Sequence, residues 1–175
     1  SLVVQPADVV LPTASTLYWQ VRVWLAAADP AAASDPSAWT APLAFDTAPA
    51  AASWSAVSWV GGHNQLRAAF PVAPAATDSP EKRARAYAAG MGAFYLWVNG
   101  QPVSDSVMDP PQSVYPLRTL HASYDVTALL RPGAINVVGA QLGNYKWGYD
   151  DVWCNMTASG GADGCRALAL QLVVE

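Results

Sequence analysis

The hydrophobic and polar positions of this chain alternate in short runs with a period of two. In "LYWQVRVWL", Leu17 to Leu25, Tyr18, Gln20, Arg22 and Trp24 fall on one face and Trp19, Val21 and Val23 on the other. Successive side chains of extended backbone point to opposite faces, so this pattern predicts a strand. "PLAFDTA" predicts another. From Trp54 onward the runs "WSAVSWVGG", "QLRAAFPV", "RARAYAAGMGAFYLWVNGQPV", "RTLHASYDV", "AINVVGAQLG" and "RALALQLVVE" are all strand candidates. Turn signals separate them: Gly61-Gly62, "APAATDSPEK", Asn99-Gly100, "DPPQSVYP" and "RPG". "VNGQPV" predicts a hairpin, because Asn-Gly tolerates the positive φ angles of a type I′ turn.

The stretch "YDVTALLRPGAINVVGAQLGN" adds a further expectation. Asp125 or Thr127 caps a single helical turn, Gly133 ends it at positive φ, and Ile135 and Val137 then share one face of a strand. Many strands with no sustained helical period predict an all-β fold, an antiparallel jelly-roll β-sandwich. The texture changes near Ala48 to Ser53, which divides the chain into a partial small β module, residues 1–50, and a larger module, 51–175.

Composition narrows the partners. Charged residues make up 13% of the 175, the net charge is −4, and no basic stripe exists. Nucleic acid is therefore excluded as an expected partner. No apolar run reaches the roughly 18 to 20 residues that would span a bilayer, so no membrane partner is expected. The Ala-rich tracts are punctuated by Pro and predict loops rather than helices.

Cys154 and Cys165 bracket a polar, Gly-rich loop, "CNMTASGGADGC", which also holds the sequon Asn155-Met156-Thr157. Two free thiols and a chance sequon are one reading. A disulfide closing a loop of this size would constrain the unfolded chain by about 3 kcal/mol. With a glycan at Asn155, it would place the protein in an oxidising, extracellular or cell-wall setting.

An ordered series of residues carries a resemblance. Asn99-Gly100, Val103, Asp105, Val107, Pro110, Tyr115, Tyr124 to Thr127, Leu130, Gly133, Asn136 and Leu142 to Asn144 follow one another at characteristic spacings. Trp54, Trp59, Leu66, Arg67 and Phe70 precede them as an entry segment. Together they resemble the N-terminal β-sandwich module of α-L-rhamnosidases of glycoside hydrolase family 78, related to carbohydrate-binding module family 67. This is a galactose-binding-like jelly roll. Residues 1–50 resemble the C-terminal part of a fibronectin type III or Ig-like module. Nothing in the chain corresponds to the (α/α)6 barrel that carries the acidic catalytic residues of that family, so the expectation names no catalytic residue.

Candidate site residues follow in part from chemistry and in part from the resemblance. "GNYKWGYDDVW" gathers Asn144, Tyr145, Trp147, Tyr149 and Asp150 behind a core strand. Flat aromatic faces stack on sugar C–H faces while neighbouring amides and carboxylates orient hydroxyls. With Asp109, these form the expected carbohydrate-binding set. Eight Trp cannot all be ligand platforms. Trp19, Trp24, Trp54 and Trp59 are assigned to cores or to the seam between modules. Oxygen ligands drawn from several loops, Asn99 and Asp105 among them, would suit Ca²⁺, as in sugar-binding relatives. The competing reading makes Asn99 a turn residue and Asp109 a turn starter before Pro110. Asp150 and Asp151 are adjacent, which encodes no facing pair of carboxylates for glycoside hydrolysis. His63 and His121 lack partners at metal or nucleophile spacing and are read as structural.

The resemblance implies an accessory module that binds rhamnose-containing glycans and contacts other domains of an extracellular α-L-rhamnosidase-like protein. Two alternatives stand beside it. One is a structural or adhesive module of an extracellular glycoprotein assembly. The other is the visible fragment of a complete α-L-rhamnosidase.

Overall fold

The computed structural model describes residues 10–24, 36–74, 83–115, 117–144 and 166–174. The chain divides into two compact units, Ser1–Ala51 and Ala52–Glu175.

In the first unit, β1 (Thr16–Trp19) pairs antiparallel with β2 (Leu43–Asp46). The Thr16 hydroxyl donates to Asp46 Oδ1 across 2.6 Å and ties the two strands at one end. The alternating run to Leu25 predicts a longer strand than β1. The ladder stops at Trp19, but side chains continue it, because the Val21 and Val23 N–H groups donate to the Thr40 and Ser37 hydroxyls. The Arg22 guanidinium lies 4.7 Å from the Trp24 ring centroid and 4.6 Å from that of Trp39. Trp19 and Trp24 were expected to be covered, yet both are about half exposed, since the described strands form one ribbon with no second layer over it.

The second unit opens with a one-turn helix, α1 (Ala51–Trp54), and continues through eight strands. These are β3 (Val60–Gly61), β4 (Gln65–Pro71), β5 (Ala84–Met91), β6 (Ala93–Val98), β7 (Gln101–Pro102), β8 (His121–Asp125), β9 (Ile135–Gly143) and β10 (Ala167–Val174). Two four-stranded antiparallel sheets result, ordered β3-β10-β5-β8 and β4-β9-β6-β7. Ala84, Ala86, Ala88, Leu168 and Tyr124 of the first sheet form one buried cluster with Phe94, Leu96, Val98, Ala140 and Leu142 of the second. The expected jelly-roll sandwich is the observed fold. One expected strand differs. "WSAVSWVGG" forms the end of α1 and only the short β3, with Trp59 left 44% exposed.

The two outer faces differ. β5 is buried on both sides, as the near-continuous apolar run "ARAYAAGM" requires. On its outer side, Tyr87 and Trp54 both pack against the His121 ring, at centroid distances of 6.2 and 5.5 Å, and burial lowers the His121 pKa. The outer face of the second sheet stays open, with Tyr95, Gln141, Gln65 and Arg67 all exposed.

The hairpin tip follows expectation, but the helical turn has Val126 as its N-cap with no side-chain cap bond and closes at Leu130, before Gly133. Asn99 and Gly100 have φ of 52° and 83°, and Val98 pairs with Gln101 across the tip. Asp125 Oδ1 accepts from the Thr127 N–H and hydroxyl and sets a 3-10 turn over Thr127–Leu129. Gly133 has φ of 69°. Ile135 and Val137 do share a face, but it is the outer one. The residue buried beside them is polar, Asn136.

Candidate functional site

Strand β6 sorts the expected site residues by its two ends. At its C-terminal end, the Asn99 Nδ2 donates to Leu129 O and to Asn136 Oδ1, while its Oδ1 accepts from the Val137 N–H. Both hydrogens of the amide and one side of its oxygen are engaged inside the protein, which anchors Asn99 as a turn residue. Asp105 is exposed on the returning chain between Val103, which bonds Leu96, and Asp109, which bonds Phe94. Among the described residues no three acidic, His or Cys side chains gather as a metal cluster.

The other end of β6 lies beside two of the expected sugar-binding residues, Asp109 and Asn144. The Phe94 N–H donates to Asp109 O across 2.7 Å, so the 105–115 segment closes against the start of the strand. Ala93 pairs with Gly143, which sets Asn144 directly beside the same end. The Tyr115 hydroxyl accepts from the Gly92 N–H at 3.0 Å and fixes the far part of the segment. Asp109 and Asn144, distant in sequence, are thereby carried to one rim of the sandwich.

Asp109 is held as well as placed. Its Oδ2 accepts from the Tyr124 hydroxyl across 2.7 Å, and the Tyr124 ring packs edge-on to Phe94. Burial, then the hydrogen bond and charge of Asp109, push the Tyr124 phenol far above its ordinary pKa. The phenol therefore stays a donor. The crevice beside them, lined by Tyr95, Ser104 and Ser106 among others, holds only about 20 Å³, room for roughly one water and not for a sugar ring. Any ligand would meet Asp109 from the rim. There the Asn144 side-chain oxygen is buried with no hydrogen-bond donor among the described residues.

Tyr145, Trp147, Tyr149, Asp150, Cys154, Asn155 and Cys165 lie outside the described residues. The strand that leads to them, β9, ends at the rim that holds Asp109. Tyr124 and Tyr115 were not among the expected site residues. Only their place in the motif series marked them, because the partners of Tyr124 and Tyr115 are set by how distant segments pack and not by local pattern.

The fold defines a jelly-roll sandwich module whose described groups at one rim hold hydroxyls and amides in place rather than oppose two carboxylates. Residues 79–175 match the profile of the alpha-L-rhamnosidase N-terminal domain family, and the chain belongs to that family. Among curated proteins, an alpha-L-rhamnosidase of Formosa agariphila is 26% identical over 170 residues, covering 83% of this chain and 17% of that protein. One of Streptomyces avermitilis is 33% identical over 106 residues, covering 57% of this chain and 9% of its own length. Among solved structures, an alpha-L-rhamnosidase from Dictyoglumus thermophilum superposes with a TM-score of 0.67 at 25% identity, over 94% of this chain and 19% of that one. The native enzyme from Aspergillus terreus shares the fold with a TM-score of 0.66 at 23% identity, over 94% of this chain and 19% of that one. The chain spans less than a fifth of each of these proteins.

Proposed function

We propose that this chain is an accessory, non-catalytic module of an extracellular α-L-rhamnosidase-like protein that holds rhamnose-containing glycans with the 105–115 segment, Asn144 and the aromatic residues that follow it in sequence. The observation that carries the reading is the convergence of Asp109 and Asn144 beside the start of β6, where the aromatic-bearing segment leaves β9. Membership of a family found in α-L-rhamnosidases supports the sugar class. Loops leaving a rigid sandwich are where such modules commonly carry function. In this reading the Asn144 oxygen accepts from a sugar hydroxyl, and Trp147 or Tyr149 supplies the stacking face.

The internal engagement of Asn99 and the Asp109–Tyr124 bond favour a second reading, a structural module without a sugar site. Calorimetric titration of the whole chain with L-rhamnose and rhamnosylated oligosaccharides separates the two. It is run with and without Ca²⁺, on the parent and a Trp147→Ala variant. Saturable binding that weakens about tenfold or more in the variant is the expected result. Absence of binding to every glycan, with Ca²⁺ present or not, would select the structural module.

A further inference from the structure

We infer that the open outer face of the β4-β9-β6-β7 sheet carries a second saccharide subsite, a hollow floored by Gly139 and flanked by Trp97 and Arg67. It rests on the carbohydrate-binding reading above but lies on the face of the sheet, away from the rim.

Register builds the hollow. Gly139 of β9 pairs with Arg67 of β4 on one side and with Trp97 of β6 on the other. Gln141 in the next outward-facing row pairs with Gln65 and Tyr95. Adjacent strands lie about 4.8 Å apart, so Arg67 and Trp97 flank the glycine across roughly 10 Å, a span that admits a pyranose ring. The depression there measures about 570 Å³.

The described residues give no steric reason for glycine at this position. A side-chain carbon at Gly139 would meet nothing nearer than Leu66 O at 3.9 Å, and its φ is not in the left-handed region. By contrast, Gly61 and Gly92 face backbone oxygens that would collide with a side chain, and Gly90 faces Phe94. Gly143 is also loosely surrounded, but it ends its strand. Glycine in a strand interior weakens the strand and marks sites where something else approaches the backbone closely. Among the described residues nothing approaches Gly139 that closely.

The walls have the chemistry of sugar recognition. Trp97 supplies the aromatic wall, its ring 6.0 Å from that of Tyr95, which lies outside the hollow. Among the described residues, the side chains of Gln65, Gln141 and Arg67 have no hydrogen-bond or ionic partner. Elsewhere in this unit Asn99, Asn136, Asp109 and Asp125 are all engaged internally. Two amides that both donate and accept, a guanidinium fork and an aromatic face are the groups that hold a ring of hydroxyls. Among the described residues no acidic side chain lines the hollow, so Arg67 is open to the carboxylate of an acidic sugar.

The test is a titration of the ¹⁵N-labelled whole chain with a neutral rhamno-oligosaccharide and with an oligosaccharide carrying a uronic-acid residue. The Gln65 and Gln141 side-chain amides and the Gly139 backbone amide are followed. Gly139→Val fills the hollow in a strand that accommodates it, and Trp97→Ala removes the stacking face. At least one saccharide is expected to shift all three signals, with affinity reduced about tenfold or more in both variants. In Trp147→Ala the same shifts persist. Saccharide binding that leaves these amides unmoved, or that both variants retain, overturns the subsite while the rim reading stands. If neither saccharide moves any amide, the carbohydrate-binding reading falls, and the subsite with it.

Discussion

The Asn99 side-chain amide donates to the Asn136 side-chain oxygen across 2.7 Å, joining the tip of one hairpin to a strand 37 residues further on. Asn136 is fully buried, and its own amide donates to Arg131 O and Ala134 O while its oxygen also accepts from the Arg131 N–H. One side chain thus pins the turn before β9 and, through Asn99, the turn after β6.

Asn136→Ala should therefore destabilise the second unit by about 2–4 kcal/mol, because buried backbone groups lose partners that water cannot replace. Denaturant unfolding of the parent and variant measures it. A midpoint unchanged by the substitution would show that the turns hold themselves.

The Arg85–Asp125 pair predicts acid sensitivity. Burial acts to raise the Asp125 pKa, but hydrogen bonds from Thr127 and Arg85 and the Arg85 charge outweigh it, and the carboxyl lies below its ordinary value. A depressed folded pKa contributes stability that is present above the unfolded value, about 3.9, and lost as pH falls through the folded one. Arg85 is nearly buried while Asp125 is largely exposed, which keeps the effect modest. Asp125→Asn should cost about 1–2 kcal/mol near neutrality and flatten the loss of stability below about pH 4. Thermal melts across pH 3 to 7 are the measurement.

Gly92 joins β5 to β6 at φ of 97°, and a side chain there would collide with the Gly143 carbonyl oxygen. Gly92→Ala combines left-handed strain with a backbone clash and should cost roughly 2–3 kcal/mol or more. Gly100→Ala meets open space at a similar φ and should cost about 1–2 kcal/mol. Comparing the two midpoints separates the clash from the strain.

Cys154 and Cys165 lie outside the described residues, and their pairing stands as a proposal from the sequence. Intact mass of material made in an oxidising secretory host should rise by two hydrogens on reduction and fall on glycan removal at Asn155. Two free thiols in that material would remove the argument for an extracellular setting.

Local chemistry made much of the second unit legible. Asn99-Gly100 announced a hairpin and the Asp125 to Gly133 run a helical turn, since each depends on residues a few positions apart. The outer position of Ile135 and Val137 was less readable, because an alternating strand does not say which face is inward. Asn136 takes the inward place only because Arg131, Ala134 and Asn99 converge on it. Trp19, Trp24 and Trp59 were assigned by type to cores or to the seam between modules, yet each is about half exposed, because residue type does not say what lies over a strand.

The sequence by itself determined the strand period, the turn positions and the family, because these are carried by near neighbours and by an ordered series of motifs. Tertiary structure alone decided which residues meet across strands. Asp109 reaches Tyr124 through the packing of one sheet on the other, while Arg67, Gly139 and Trp97 fall into one row through the register of antiparallel ladders. A shift of one residue would turn that row to the opposite face, and no local pattern fixes that choice.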